Sequence, residues 1–194
     1  MKQQSEALIP TPYGNFKMIA YSERQDNRMP HVVLVSKDLD THKDVILRIH
    51  SECLTGDLFG SKRCDCGEQL TKALEIIGKE QGVLIYLRQE GRGIGLINKL
   101  KAYELQDRGM NTIDANIHLG FEPDERDYEE ASKILKDMGI NSVRILTNNP
   151  EKVDALNQYG IEVAERLPIV INPSSENEAY LKVKSDLMGH ILDE

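Results

Sequence analysis

The stretch SVRILTNNPEKVDALNQYGIEVAERLPIVI, residues 142–171, decides the fold class. SVRILT (142–147) reads as a strand, Asn148-Asn149-Pro150 as a turn, and residues 150–159 as a helix. Asn149 is placed to cap that helix, and Pro150 stands at its first position, where a missing N–H costs nothing. Gly160 stops the helix and IEVAERLPIVI follows. Strand and helix in alternation argue for βαβ units and for part of a parallel sheet.

The alternation extends upstream. A helix is expected over 128–138, with Ala131, Ile134, Leu135 and Met138 at helical spacing and Gly139 as its stop. Residues 110–127 carry few apolar positions, and no element is predicted there. A helix over 94–108 should present Ile94, Ile97, Leu100 and Leu105 on one face and end at Gly109. The apolar run VLIYL after Gly82 predicts a buried strand, preceded by a helix from Gly67 that carries Leu70, Ala73, Leu74 and Ile77. The N-terminal third differs. FKMIAY (16–21), HVVLVSKDL (31–39) and DVILRIH (44–50) are strand candidates between the turn formers Pro12, Gly14, Asn27, Pro30 and Asp40, and short polar connections favour antiparallel pairing. After Asn172-Pro173-Ser174-Ser175 the tail reads as an amphipathic helix. The expected fold is mixed α/β, a β-rich N-terminal part followed by alternating helices and strands in a single compact domain. Residues 1–172 form its body and 173–194 a helical tail packed on it.

A chain of 194 residues can bury a core without staples, and 40% hydrophobic with 29% charged residues excludes a disordered or fibrous polymer. The start, MKQQSEALIPTPYG, lacks the apolar stretch of a signal peptide, and no run approaches the roughly 18 apolar residues of a membrane span. The expected setting is the cytoplasm, with no membrane partner. A net charge of -8 with dispersed basic residues disfavours a nucleic-acid partner. A single nucleotide is a different case, because a few arginines and lysines act over a few ångströms whatever the distant charge.

The three cysteines, Cys53, Cys64 and Cys66, fall within HSECLTGDLFGSKRCDCGEQL as C-x10-C-x-C. Three thiolates leave one tetrahedral position of Zn²⁺ for water, the arrangement of a catalytic site, whereas structural sites usually fill all four. Lys62 and Arg63 lie beside them in sequence as cations that offset thiolate donation. A closed structural site with His50 or another side chain as fourth ligand is the alternative, as are three buried thiols without metal.

RQEGRGIGLINKL brings Gly91, Gly93 and Gly95 to a helix start, where backbone N–H groups can approach a phosphate and Arg88 and Arg92 can reinforce the contact. The spacing is neither the dinucleotide nor the P-loop fingerprint, and a glycine-rich turn with solvated arginines is the plainer reading. In GFEPDERDYEE, Asp124 is a candidate proton carrier and Arg126 a phosphate fork, against a solvated helix start. Thr147 and Lys152 flank the Asn-Asn-Pro turn in a manner suited to an anion, and Tyr103 is either a core tyrosine or a hydroxyl within reach of the reacting group. His31, His42, His118 and His190 have no ligand-like spacing and are expected to be structural or exposed.

Together, HSECLTGDLFGSKRCDCGEQL, RQEGRGIGLINKLKAYELQD, LGFEPDERDY and LTNNPEKV closely resemble GTP cyclohydrolase II, the enzyme that opens riboflavin biosynthesis, in the same order and over nearly the whole chain. The resemblance implies a hydrolase that opens the imidazole ring of GTP at C8. It releases formate and pyrophosphate and yields 2,5-diamino-6-hydroxy-4-(5-phosphoribosylamino)pyrimidine. By the same resemblance Cys53, Cys64 and Cys66 match zinc ligands whose bound water attacks C8. Arg126 matches the nucleophile at the α-phosphorus, Asp124 the acid/base residue and Tyr103 an active-site tyrosine. An unreactive, always-protonated guanidinium makes charge stabilisation by Arg126 the competing role. Arg48, Ile49, His50, Ser51, Glu52, Gln69, Glu90, Gly91, Arg92, Thr112, Thr147 and Lys152 match GTP-binding positions. The resemblance further implies Mg²⁺ with the triphosphate and a homodimer. Many relatives carry a dihydroxybutanone-phosphate synthase domain ahead of this region, so a stand-alone form with one activity is expected here. A non-catalytic GTP-binding protein with structural zinc is the alternative.

Overall fold

A computed structural model describes residues 1–192. Its seven strands are β1 (Lys2–Thr11), β2 (Gly14–Ser22), β3 (His31–Ser36), β4 (Val45–Ser51), β5 (Val83–Leu87), β6 (Ser142–Leu146) and β7 (Glu162–Leu167), in the sheet order β1-β2-β3-β5-β4-β6-β7. The first four strands in that order pair antiparallel, and β5, β4, β6 and β7 run parallel. The helices are α1 (Leu54–Asp57), α2 (Cys66–Glu80), α3 (Gly95–Asp107), α4 (Thr112–His118), α5 (Glu129–Asp137), α6 (Pro150–Gln158) and α7 (Glu178–Met188). The mixed α/β class and the βαβ unit at 142–167 agree with the sequence pattern, including the Asn149 cap, whose side chain accepts from the Glu151 N–H at 3.0 Å.

Period-two alternation divides the sheet into two apolar faces. Val45, Leu47 and Ile49 of β4 and Val83, Ile85 and Leu87 of β5 face α5 and α6, where Ala131, Ile134, Leu135 and Leu156 are fully buried. The other face, with Ile46 and Leu84, is covered by Ala73 and Ile77 of α2. Each such fully buried Leu or Ile contributes about 1.5–3 kcal/mol. Arg48 and His50 alternate with the core positions and project on the α2 side, at the carboxyl end of a parallel strand, where open α/β sheets bind ligands. Gly78 of α2 makes close approach possible, since a Cβ there would stand 1.9 Å from the carbonyl oxygen of Tyr13.

Four readings require correction. DVILRIH does not form a hairpin with the strand before it; β4 inserts between β5 and β6, in parallel, because all but its last residue are buried on both faces. Lys2–Thr11 is a strand that polar KQQSE concealed, and it forms an edge. Residues 110–127 contain α4, nucleated by Asn111, whose side chain accepts from the Asp114 N–H at 2.9 Å. On α3 the middle of the expected apolar face is turned out: Ile94 is buried and Leu105 half-buried, but Ile97 is 73% and Leu100 48% exposed, while Lys99 and Ala102 are buried. Of the expected tail 173–194, α7 is present, and Asp193 and Glu194 lie outside the described residues.

Candidate active site

The three thiols converge under α1. Cys53 precedes α1, Cys66 opens α2, and the three Sγ atoms lie within 4.8 Å of one another, with Cys53 and Cys64 3.6 Å apart. Metal–sulfur bonds of about 2.3 Å in a tetrahedron separate sulfurs by roughly 3.8 Å, so the cluster fits Zn²⁺. Gly56 is part of that fit: a Cβ there would come within 3.0 Å of Cys64 Sγ and 3.3 Å of Cys53 Sγ. Among the described residues no fourth His, Cys, Asp or Glu joins the group, and all three cysteines line one pocket.

His50 is not a ligand. Its Nε2 pairs with Asp57 Oδ1 at 3.0 Å, and Asp57 Oδ2 accepts from the Cys53 N–H at 3.0 Å and from the Tyr86 hydroxyl at 2.8 Å. Asp57 thereby fixes the Cys53 turn to β4 and β5. Burial holds the His50 pKa below its ordinary value, against the pull of Asp57, so the ring is a neutral strut.

The cation beside the sulfurs is neither Lys62 nor Arg63. Lys62 is 75% exposed on its side chain, and Arg63 pairs with Asp107 and lies 4.8 Å above the Tyr103 ring. Lys99 of α3 takes the place, with Nζ 3.2 Å from Cys53 Sγ and 2.7 Å from Glu90 Oε1. Glu90 also accepts from the Gly91 N–H at 2.8 Å and, through Oε2, from the Leu54 N–H at 2.6 Å. The signal in sequence was helical spacing: Lys99 and Tyr103 are four apart and share a face of α3. Tyr103 lines the pocket, and burial pushes its hydroxyl up to about 12, so it stays protonated.

The glycine-arginine loop offers a side chain rather than its backbone. The Gly91 N–H is engaged by Glu90 and the Gly93 N–H by the Gln89 carbonyl at 3.3 Å. Arg92 itself is left-handed, φ 61°, a strained state for a side-chain-bearing residue, and both terminal guanidinium nitrogens are buried without a partner among the described residues. Arg88 points away and pairs with Glu52 at 2.7 Å.

Arg48, His50, Ser51, Glu52, Gln69, Glu90, Gly91, Arg92, Thr112, Thr147, Lys152 and Arg126 all line the same pocket as the cysteines. Ile49 does not: its side chain is fully buried in the core, and its carbonyl accepts from Lys152 Nζ at 2.9 Å. Asp124 stands behind Arg126, accepting from its Nε at 2.8 Å and from a terminal nitrogen. Burial alone would raise the Asp124 pKa, but hydrogen bonds and charge from Arg126 keep it below the usual carboxylate range. Burial would likewise lower Arg126, yet Tyr128 and Asp124 hold its guanidinium protonated. Four lining residues come from the C-terminal segment beyond the last motif, namely Tyr180, Lys184, Met188 and His190, and Asn116 lines the pocket between motifs.

Charge in the pocket is unbalanced. Lys99, Arg126 and Lys184 have carboxylate partners, whereas among the described residues Arg48, Arg92 and Lys152 have none within ion-pair distance. Arg48 donates to the Leu146 carbonyl at 2.9 Å and Gln69 Oε1 at 2.6 Å, with Nε unpartnered. Lys152 is pushed well below the ordinary lysine range by burial and then by the charges of Arg48, Arg126 and Lys184. Buried Arg48 and Lys152 and half-buried Arg92 face one cavity in a protein of net charge -8, a basic cluster whose chemistry suits a multiply charged anion.

Residues 2–168 match the family model described as GTP cyclohydrolase II. The riboflavin biosynthesis protein RibBA of Chlorobium phaeovibrioides is 52% identical over 188 residues, which cover 96% of this chain and 46% of that protein. RibBA of Bacillus cereus is 50% identical over 192 residues, 98% of this chain and 48% of its own, and RibBA of Phocaeicola vulgatus is 48% identical over 199 residues, 99% and 49%. The chain spans about half the length of the curated relatives it matches. No helix among the described residues is long and apolar enough to cross a membrane.

Proposed function

The chain belongs to the GTP cyclohydrolase II family, and on that footing we propose that it hydrolyses GTP, opening the guanine imidazole ring and releasing formate and pyrophosphate in riboflavin biosynthesis. The observation that carries this reading is one cavity holding three thiols suited to a metal and three basic side chains without carboxylate partners among the described residues, Arg48, Arg92 and Lys152, suited to a triphosphate. Zn²⁺ held by Cys53, Cys64 and Cys66 would supply a Lewis acid and an activated water. Lys99, fixed by Glu90, offsets the electron donation of Cys53. Arg48, Arg92 and Lys152 bind the phosphates, with Mg²⁺ as the triphosphate's counter-ion.

Arg126 acts as a charge stabiliser for the departing pyrophosphate. A guanidinium held protonated by Asp124 is a poor nucleophile, which favours this role over covalent attack at phosphorus. Asp124, ionised at neutral pH, is a base rather than an acid until Arg126 moves. Tyr103, protonated and beside the thiols, orients the purine. The exposed apolar side chains Ile97 and Leu100 support a homodimer, and a cytoplasmic setting accords with a biosynthetic role.

The test is to supply the purified, zinc-loaded protein with GTP and Mg²⁺ and to measure formate and pyrophosphate. Intact GTP on a metal-loaded protein would instead establish a non-catalytic nucleotide-binding protein.

A further inference from the structure

The family match ends at residue 168, and α7 lies beyond it, yet α7 reaches the centre of the site. Lys184 is 8% exposed and donates to Asp65 Oδ1 at 2.6 Å. Asp65, 1% exposed, stands between Cys64 and Cys66 at the start of α2, so whatever holds Asp65 holds the turn that presents two of the three thiols. Its other oxygen accepts from Gln69 Nε2 at 2.5 Å, and Gln69 Oε1 accepts from Arg48 at 2.6 Å. One hydrogen-bonded chain therefore runs from α7 through the cysteine turn to an unpaired cation of the anion site. The far end of α7 is tied down as well: the Ile191 N–H donates to the Asn148 carbonyl at 2.9 Å, beside Thr147.

We propose that Lys184 is a positioning residue which, through Asp65 and Gln69, sets both the cysteine turn and Arg48, so that α7 couples the metal site to the phosphate site. A bidentate carboxylate shared between an ammonium and an amide has one orientation. With the ammonium removed, Asp65 is a buried charge held by Gln69 alone and draws Gln69 away from Arg48. Both sites then loosen together, although Lys184 touches no thiol. The proposal rests on the reading of the pocket as a metal and GTP site.

The experiment uses the full chain, stripped of metal and folded by circular dichroism. Co²⁺ is titrated while the thiolate-to-cobalt charge-transfer band is followed, and GTP binding is measured by calorimetry. For Lys184→Met both affinities should fall about tenfold, the lower end of the loss on removing a residue that orients metal ligands. Lys184→Arg should recover both to within about threefold, and Lys182→Met, on the exposed side of α7, should change neither. Unchanged affinities in Lys184→Met, or a loss of one without the other, would overturn the coupling. Should Lys184→Met not fold, amide exchange of residues 178–188 in the unsubstituted protein decides: it should slow on adding Zn²⁺ and slow further on adding GTP. Exchange indifferent to either ligand refutes the proposal. An unsubstituted protein that binds neither Co²⁺ through thiolates nor GTP sinks the underlying reading with it, and does so before any variant is made.

Discussion

Replacing Lys152 by methionine should make the ligand-free protein more stable and the enzyme worse. The ammonium is buried among Arg48, Arg126 and Lys184, has one hydrogen bond, to the Ile49 carbonyl, and its pKa is depressed first by burial and then by those charges. Exchanging a buried ion for an apolar group of similar volume stabilises by about 1–4 kcal/mol, and losing the hydrogen bond costs about 1 kcal/mol. A net gain of about 1 kcal/mol corresponds to a rise in Tm of about 2–4 °C for a domain of this size. A charge-assisted contact to phosphate is worth about 1.5–3 kcal/mol, so GTP affinity should drop roughly tenfold to a hundredfold. The pH dependence has a definite sign. A lysine whose folded pKa lies below its unfolded value of 10.5 binds more protons unfolded, so wild-type stability rises with pH across that window, and the Met variant lacks this component. Calorimetric unfolding with and without GTP, at several pH values, gives all three quantities. A ligand-free Lys152→Met protein that melts below wild type, or binds GTP as tightly, would falsify the account of the pocket as a strained cation cluster awaiting an anion.

Cys64→Ser should lose bound zinc and formate release together; retention of either at the wild-type level would contradict the three-thiol site. Arg126→Ala should slow pyrophosphate release by about 10²–10³, and Arg126→Lys should recover part of it, because the charge survives without the fork. A lysine variant no better than alanine would favour covalent attack. Gly78→Ala should cost roughly 3 kcal/mol, seen as a lowered midpoint in urea, since the new Cβ would meet the Tyr13 carbonyl at 1.9 Å; a wild-type midpoint would show that α2 and the β1–β2 turn separate freely. Burial lowers His50, and lowers His190 to about 3, so stability present above pH 6.5 should fall away below it, by up to about 1.4 kcal/mol per pH unit for His190. Replacing His190 with asparagine should flatten the slope between pH 6.5 and 5, and an unaltered slope would rule out that contribution.

The latter half of the fold was legible because its signals are local: Asn149-Pro150 starts α6, and Gly139 and Gly160 follow helices in a left-handed conformation. What escaped depends on partners distant in sequence. VILRIHS looks like any β-strand, and nothing in it states that its neighbours are residues 83–87 and 143–145. On α3 the apolar periodicity of Ile97 and Leu100 misleads because the pocket demands Lys99 on the inner face, a functional requirement overriding the hydrophobic pattern. Within the site, the cysteines and most pocket-lining arginines and lysines could be named from motifs. Lys184 and His190 could not, since a lysine in an amphipathic tail carries no local sign of a buried carboxylate 119 residues away.

The placement of β4 inside the sheet, between β5 and β6, governs the order of assembly. As the chain leaves the ribosome, residues 45–51 emerge well before either neighbour, and β6 comes only after Asn141. Such non-local pairing closes slowly, because loop entropy is lost before contacts compensate it. The antiparallel sheet of β1, β2 and β3 can zip early, while Cys53 after β4 and the thiols at the start of α2 wait in an unfinished centre for the C-terminal half. Newly made chains are therefore most open to oxidation and to capture of the wrong metal during that interval, and pulse-labelling of Cys53, Cys64 and Cys66 during refolding should show them protected last.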